Sequence, residues 1–180
     1  ITSTDSIVER HLPIPSIAVN YSDICLGQIA NFSNTTVSER PVVAWFWDFG
    51  DGTTSTSQNP THTYTTPDTF DVTLEATTVD GCIVSSVTPV VITVTQPPVA
   101  SFTATPTAGC VPYSVSFTES ATGRFPLVDW HWDFGDGDTA NGQVITPHMY
   151  DSAGVYTATL TVTDDEGCTG TVSRIITVHE

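Results

Sequence analysis

The amino-acid sequence predicts an all-β chain made of two tandem antiparallel β-sandwiches. Three observations carry this: an internal repeat, an apolar/polar alternation of period two, and turn clusters every 8–12 residues. Trp-Phe-Trp-Asp-Phe-Gly-Asp-Gly at Trp45–Gly52 returns as Trp-His-Trp-Asp-Phe-Gly-Asp-Gly at Trp130–Gly137, an offset of 85. Pro13, Cys25 and Phe32 map to Pro98, Cys110 and Phe117 with the same offset. Beyond the motif the offset becomes 86, since His62-Thr-Tyr64 matches His148-Met-Tyr150 and Gly81-Cys82 matches Gly167-Cys168. The residue gained falls near Thr139–Ile145, where a surface loop absorbs it at small entropic cost. The copies span residues 13–96 and 97–180. Residues 1–12 precede the first copy as a linker, a remnant of a preceding domain, or a strand donated to a neighbour.

The elements follow in order. In the second copy, turn residues at Thr105–Gly109 precede an alternating run at Val111–Thr118. A second run covers Val128–Phe134, followed by the turn-rich stretch Gly135–Gly142 and by Asp151–Gly154. Tyr156, Ala158, Leu160 and Val162 then alternate with Thr157, Thr159, Thr161 and Thr163, which describes a half-buried strand with a solvated, β-branched outer face. Asp164–Gly167 reads as a solvated hairpin tip, and Thr169–Val178 as the last strand. About seven strands per copy form two sheets, and no stretch supports a helix of normal length.

Strand alternation also sorts the aromatic residues. Trp45, Trp47 and Phe49 share one face, and Phe46 and Asp48 the other. Trp130, Trp132 and Phe134 repeat the first face, while His131 replaces Phe46. Three rings on one face make a small core, so the substituted position is expected to face solvent.

Charge narrows the choice of partners. Four cationic residues, all arginine (Arg10, Arg40, Arg124, Arg174), stand against 20 acidic ones, for a formal charge of −16. Nucleic acid and anionic membranes need clustered positive charge and are excluded. No apolar run approaches the roughly 20 residues of a membrane helix. The chain opens Ile-Thr-Ser, which reads as processed or excised from a longer protein. An apolar fraction of 39%, with four Trp and eight Phe, argues against disorder.

Each copy holds two cysteines, Cys25/Cys82 and Cys110/Cys168. Even counts recurring in a repeat indicate one bridge per domain and an oxidising, extracellular or periplasmic setting. Such a bridge would tie one end of each sandwich and stabilise it by about 4 kcal/mol on the chain-entropy model. Zinc binding is the rival reading, but CxxC spacing and nearby histidines are missing.

The twice-repeated Trp-Asp-Phe-Gly-Asp-Gly, followed by His-x-Tyr and an aromatic-x-x-x-Leu strand, resembles the PKD (polycystic kidney disease) domain. The likeness covers residues 13–178. It identifies Trp47, Asp48, Phe49, Gly50, Asp51, Gly52, His62 and Tyr64 as the structural motif of the first copy. Trp132, Asp133, Phe134, Gly135, Asp136, Gly137, His148 and Tyr150 are their counterparts. Asp68 stands where the second copy has Gly154, the commoner family residue. The resemblance implies an Ig-like β-sandwich on secreted or cell-surface proteins. The cysteine-bearing form is similar to that of large surface proteins of Bacteroidetes, adhesion and gliding proteins among them. It further implies a spacer in fibrillar proteins or an accessory module of collagenases, chitinases and proteases, with no enzymatic activity of its own.

The motif turns are crowded with carboxylates. Asp48, Asp51, Asp133, Asp136 and Asp138 are a candidate calcium set, because Ca²⁺ favours hard oxygen ligands. The competing reading is that Asp48 and Asp133 accept hydrogen bonds from loop amides while Gly50 and Gly52 supply unusual φ values. No other cofactor is expected. His62 and His148 suggest a Ser/His/Asp site only in isolation, because a repeated His-x-Tyr points to a loop-capping role. Paired carboxylates for glycoside hydrolysis would need a cleft that so small a sandwich does not supply. Tyr21, Phe46, Tyr113 and Phe125 are candidates for a sugar-stacking platform. Asn20, Asn31 and Asn34 fit the N-glycosylation pattern, of little weight in a chain so rich in Thr and Ser.

These readings combine into a non-catalytic, secreted or cell-surface structural and adhesion protein. Its Thr95-Gln96-Pro97-Pro98 linker is expected to hold a semi-rigid spacer or shaft. Expected partners are other protein domains or copies of itself, and an extracellular polysaccharide is a further candidate. The alternatives are an accessory binding module of a secreted hydrolase and a filament subunit that donates residues 1–12 as a strand.

Overall fold

The alternation in the sequence becomes strands at nearly every place it occurs. A computed structural model describes residues 12–86 and 88–180, and among them are 17 strands and no helix. The proposed donor segment lies, but for Leu12, outside the described residues. The chain divides between Thr95 and Gln96 into two compact units.

The first unit comprises β1 (Ile17–Val19), β2 (Asp23–Cys25), β3 (Ile29–Asn34), β4 (Val42–Asp48), β5 (Thr54–Ser55), β6 (Thr61–Thr63), β7 (Thr69–Thr78), β8 (Ile83–Ser85) and β9 (Val90–Thr95). One sheet has the order β1-β3-β6 and the other β2-β9-β7-β4-β5, with β8 added beside β7. The second unit comprises β10 (Phe102–Thr105), β11 (Ala108–Cys110), β12 (Tyr113–Glu119), β13 (Leu127–Asp133), β14 (Thr139–Asn141), β15 (His148–Tyr150), β16 (Gly154–Asp164) and β17 (Thr169–His179). Its sheets run β10-β12-β15 and β11-β17-β16-β13-β14. Pairing is antiparallel except where β2 joins β9 and β11 joins β17 in parallel. Each unit is thus a two-sheet sandwich of Ig-like type.

The core forms where alternation placed it. Trp47 is fully buried between the sheets with Phe32, Phe49, Tyr64, Val72, Leu74 and Ile92. Trp132 is buried equally with Phe102, Phe117, Phe134, Tyr150, Leu160 and Ile176. Phe32 lies 5.8 Å from the Trp47 ring and 5.3 Å from Phe49, and Phe117 repeats this at 5.8 and 5.3 Å from Trp132 and Phe134. Both indoles are answered: Trp47 Nε1 donates to the Ser57 carbonyl at 2.9 Å, and Trp132 Nε1 to the Gly142 carbonyl at 3.1 Å. On the outer face of β16, Thr159 Oγ1 lies 2.9 Å from Ser173 Oγ, and Thr161 Oγ1 lies 3.3 Å from Thr171 Oγ1.

The intradomain bridges are not there. Cys25 and Cys168 are disulfide-bonded, whereas Cys82 and Cys110 are free thiols, so neither Cys25–Cys82 nor Cys110–Cys168 forms. Strand polarity explains why. Cys25 pairs with Thr95, beyond the Thr69↔Thr93 end of β7, while Cys82 follows the opposite end of the same strand. A ten-residue strand at about 3.3 Å per residue separates them by about 30 Å, where a bridge tolerates at most about 7 Å between Cα atoms. Cys110, opposite His179, and Cys168, in the β16–β17 turn, are split the same way by β16.

The Asp164–Gly167 turn is solvated at Asp165, Glu166 and Gly167, as expected, but not at Asp164. Asp164 is buried, because its Oδ1 accepts the Cys168 amide at 2.8 Å and closes the turn.

Two outcomes follow. Trp47→Ala and Trp132→Ala should each destabilise their own domain by about 3–5 kcal/mol in chemical denaturation, since each empties the centre of a closed core. Cys82→Ser should shift the stability of the first domain by less than about 0.5 kcal/mol, against the loss of about 4 kcal/mol that an intradomain staple would entail.

Candidate functional site

The motif turn begins where β4 and β13 run out of ladder partners. Gly50 and Gly135 adopt φ of 79° and 82°, in the left-handed region where a side chain is strained. A Cβ at either would also lie 2.8 or 2.7 Å from the carbonyl oxygen of Asp71 or Thr157 on the adjacent strand. The turn can therefore fold back onto β7 or β16 only with glycine there.

Around that glycine the aspartates accept the loop amides. Asp48 Oδ1 accepts the Gly50 amide at 2.9 Å, and Asp133 Oδ1 the Gly135 amide at 2.8 Å. Asp51 Oδ1 accepts the Thr53 amide and the Thr53 hydroxyl, at 2.9 and 2.6 Å. Asp136 Oδ1 accepts the Asp138 amide at 3.1 Å.

The remaining oxygens meet the histidines of His-x-Tyr. His62 Nε2 lies 2.7 Å from Asp51 Oδ2, and His148 Nε2 lies 2.6 Å from Asp136 Oδ2. Both imidazoles lie flat on the motif phenylalanine, at 4.2 Å from Phe49 and 3.9 Å from Phe134. The tyrosines complete the corner, for Tyr64 donates to the Phe49 carbonyl at 3.1 Å and Tyr150 to the Phe134 carbonyl at 3.0 Å. Each histidine thus clamps loop to sheet.

Electrostatics follow from this packing. Burial pushes the Asp51 carboxyl upward, but hydrogen bonds from Thr53 and His62 outweigh it and hold the group below the ordinary carboxylate range. Asp136 is held low in the same way, with His148 and the Asp138 amide opposing burial. Burial, and then the nearby Asp51 and Asp136 charges, push the Tyr64 and Tyr150 hydroxyls far above the usual phenol range.

The candidate calcium residues are divided between the motif turns of the two units. Asp48 and Asp133 point to the turn amides, and Asp51 faces His62 and Thr53. Among the described residues, only Asp136, Asp138 and His148 of the second unit bring three ligand atoms within 4.8 Å of one another. The first unit has Thr53 in place of Asp138. An open depression of about 200 Å³ adjoins this trio, lined by Phe134, Asp138, Thr139, Ala140, Thr146, Pro147 and His148. A cation there would have to displace the His148–Asp136 bond, and imidazole nitrogen suits calcium poorly.

The sugar-platform candidates differ in exposure. Tyr21 and Phe46 are exposed, at 59% and 43%, and sit on different strands or loops. Tyr113 is partly buried against Gly109, with its hydroxyl donating to the Ala108 carbonyl. Phe125 is half-buried beneath Arg124, 5.6 Å from its ring centroid. One feature had no sequence signal: Trp45 Nε1 and Trp130 Nε1 are buried without a hydrogen-bond partner, at equivalent positions of both units.

Lowered carboxylate values set the direction of acid sensitivity. The Asp51 and Asp136 contributions are present above the unfolded value near pH ~4 and are lost as pH falls through the lower folded values. Asp51→Asn and Asp136→Asn should each weaken the domain by about 1–2 kcal/mol at neutral pH and flatten the fall in Tm between about pH 4 and 2, read by calorimetry across pH.

Comparison with known proteins accords with the motif. The profile of the PKD domain matches residues 10–94 and 95–178. Collagenase ColA of Bacillus cereus is 42% identical over 67 residues, 37% of this chain and 7% of that protein. The pre-pro-metalloprotease PrtV of Vibrio cholerae is 32% identical over 139 residues, 76% of this chain and 14% of that protein. The chain therefore spans a small fraction of these relatives. The crystal structure of the PKD1 domain of PrtV is 33% identical, covering 47% of this chain and 99% of that one, with a TM-score of 0.41.

Proposed function

The chain belongs to the PKD domain family, in two consecutive copies, and on that footing we propose that it is a non-catalytic extracellular spacer. Its two domains would hold another part of a longer surface or secreted polypeptide away from its point of attachment. One observation carries the reading: the histidines and aspartates of the repeated motif are committed to structure in both repeats. His62 and His148 clamp their loops, the motif aspartates accept turn amides, and the interiors are filled by their own aromatic clusters. The outward threonine rows of β16 and β17 and a formal charge of −16 support a hydrated surface that does not collapse on like neighbours. Bonded Cys25 and Cys168 favour an oxidising compartment.

A second reading is an accessory module that binds a polymer. The 42% identity to a stretch of a collagenase favours it, with exposed Phe46 as the contact candidate. Retention on immobilised collagen and chitin separates the two. The spacer reading expects no saturable binding and no difference between the chain and Phe46→Ala. Saturable retention that Phe46→Ala abolishes would replace it with the binding module.

A further inference from the structure

The two units differ at one strand edge. In an antiparallel ladder, successive residues turn their backbone N–H and C=O groups to opposite edges of the strand. Ser120 donates its amide to the Ser101 carbonyl at 2.8 Å, on the side of β12 that faces β10. Val115, Phe117 and Glu119 therefore turn their backbone groups to the other edge, where β15 runs. That strand pairs with Tyr113, Ser114 and Val115, so Phe117 and Glu119 lie past its end.

In the first unit the same edge of β3 is closed by the loop that precedes β6. The Phe32 amide donates to the Pro60 carbonyl at 2.9 Å, and the Asn34 amide to Asn59 Oδ1 at 2.9 Å. Phe117 and Glu119 are the repeat counterparts of Phe32 and Asn34, yet among the described residues no group accepts their amides. The loop sequence gives the reason. Val144 stands where the first unit has Asn59, which removes the side-chain oxygen, and the residue gained in this repeat falls in the same stretch. Val144 is 90% exposed. An open depression of about 330 Å³ remains, lined by Phe117, Thr118, Glu119, Gln143 and Val144.

We propose that this edge takes an extended basic peptide of another polypeptide, laid antiparallel to β12 in line with β15. The first unit defines what the occupant must supply: two oxygens, offered to the amides of alternate residues. An added strand supplies them as the carbonyls of residues i and i+2, opposite Glu119 and Phe117, while its own N–H groups meet the carbonyls of those two residues. Val144 offers the same segment an apolar contact.

Charge selects the sign of the partner. The Glu119 side chain borders the depression, where Gln143 Nε2 donates to its Oε1 at 2.7 Å, and the chain carries a formal −16. A cationic segment is drawn to such a surface, whereas a second copy of this acidic chain is repelled. The inference goes beyond the spacer reading: a spacer can carry such a site, and the loss of the site leaves that reading standing.

The test titrates the isotope-labelled chain with the peptide acetyl-Arg-Val-Thr-Val-Arg-amide and follows backbone amides by NMR. In the free chain, the Phe117 and Glu119 amides should exchange with solvent at least about 10-fold faster than those of Phe32 and Asn34. With the peptide, the first pair should shift and slow by about 10-fold, and the second pair should not move. Val144→Asn, which restores the side-chain oxygen of the first repeat at an exposed position, should abolish the response. The acidic analogue acetyl-Glu-Val-Thr-Val-Glu-amide should give none. Phe117 and Glu119 amides already protected in the free chain, equal shifts at Phe32 and Asn34, an equal response to the acidic peptide, no response to the basic one, or undiminished binding by Val144→Asn would each overturn the proposal.

Discussion

Burial of one indole with its N–H answered is the constraint on which each domain depends. Trp47 and Trp132 bring the largest apolar surface into the interior, and a buried N–H without an acceptor is unfavourable by about 1–3 kcal/mol. The acceptors are loop carbonyls ten residues downstream, Ser57 and Gly142. The chain after the tryptophan strand must therefore turn back at once, and glycine with positive φ is the residue that lets it. The Asx-type acceptance by Asp48 and Asp133, the histidine clamp and the tyrosine tie all hold that return in place.

This order of dependence explains why residues that look catalytic are structural. A histidine beside an aspartate is a familiar reactive pair, yet here it is sandwiched against a phenylalanine and its carboxylate also accepts a turn amide. The same cluster appears in both units with nearly equal distances, as expected of a device that closes a fold. The exchange of Thr53 for Asp138 leaves the clamp intact, because the His–Asp contact and the stacking on phenylalanine are present in both units, with the Thr53 hydroxyl adding a bond to Asp51 in the first.

Much of this was legible in the residues. Alternation alone placed Trp47, Phe49, Trp132 and Phe134 inside and Phe46 and His131 outside, since a strand's period of two leaves no third choice. Burial of Asp164 and the packing of Tyr113 on Gly109 were not legible. Both depend on a neighbour brought close by a turn, and a polar residue at a hairpin or an aromatic ring beside a strand carries no local sign of it. That Asp51 and Asp136 meet His62 and His148 was equally hidden, because spacing records how many carboxylates a loop holds but not which side chain each one faces.

By itself the sequence determined that the chain is two copies of one β-sandwich, which residues line each core, and where glycine must stand. Local periodicity and repeat offset are properties of the string, so they survive without coordinates. Tertiary structure alone decided what the cysteines do. Separation along the chain measures the loop a bridge would close, whereas strand direction decides the end of the sheet at which each sulfur stands. An antiparallel strand running the length of the sandwich put the two cysteines of each domain at opposite poles, out of each other's reach.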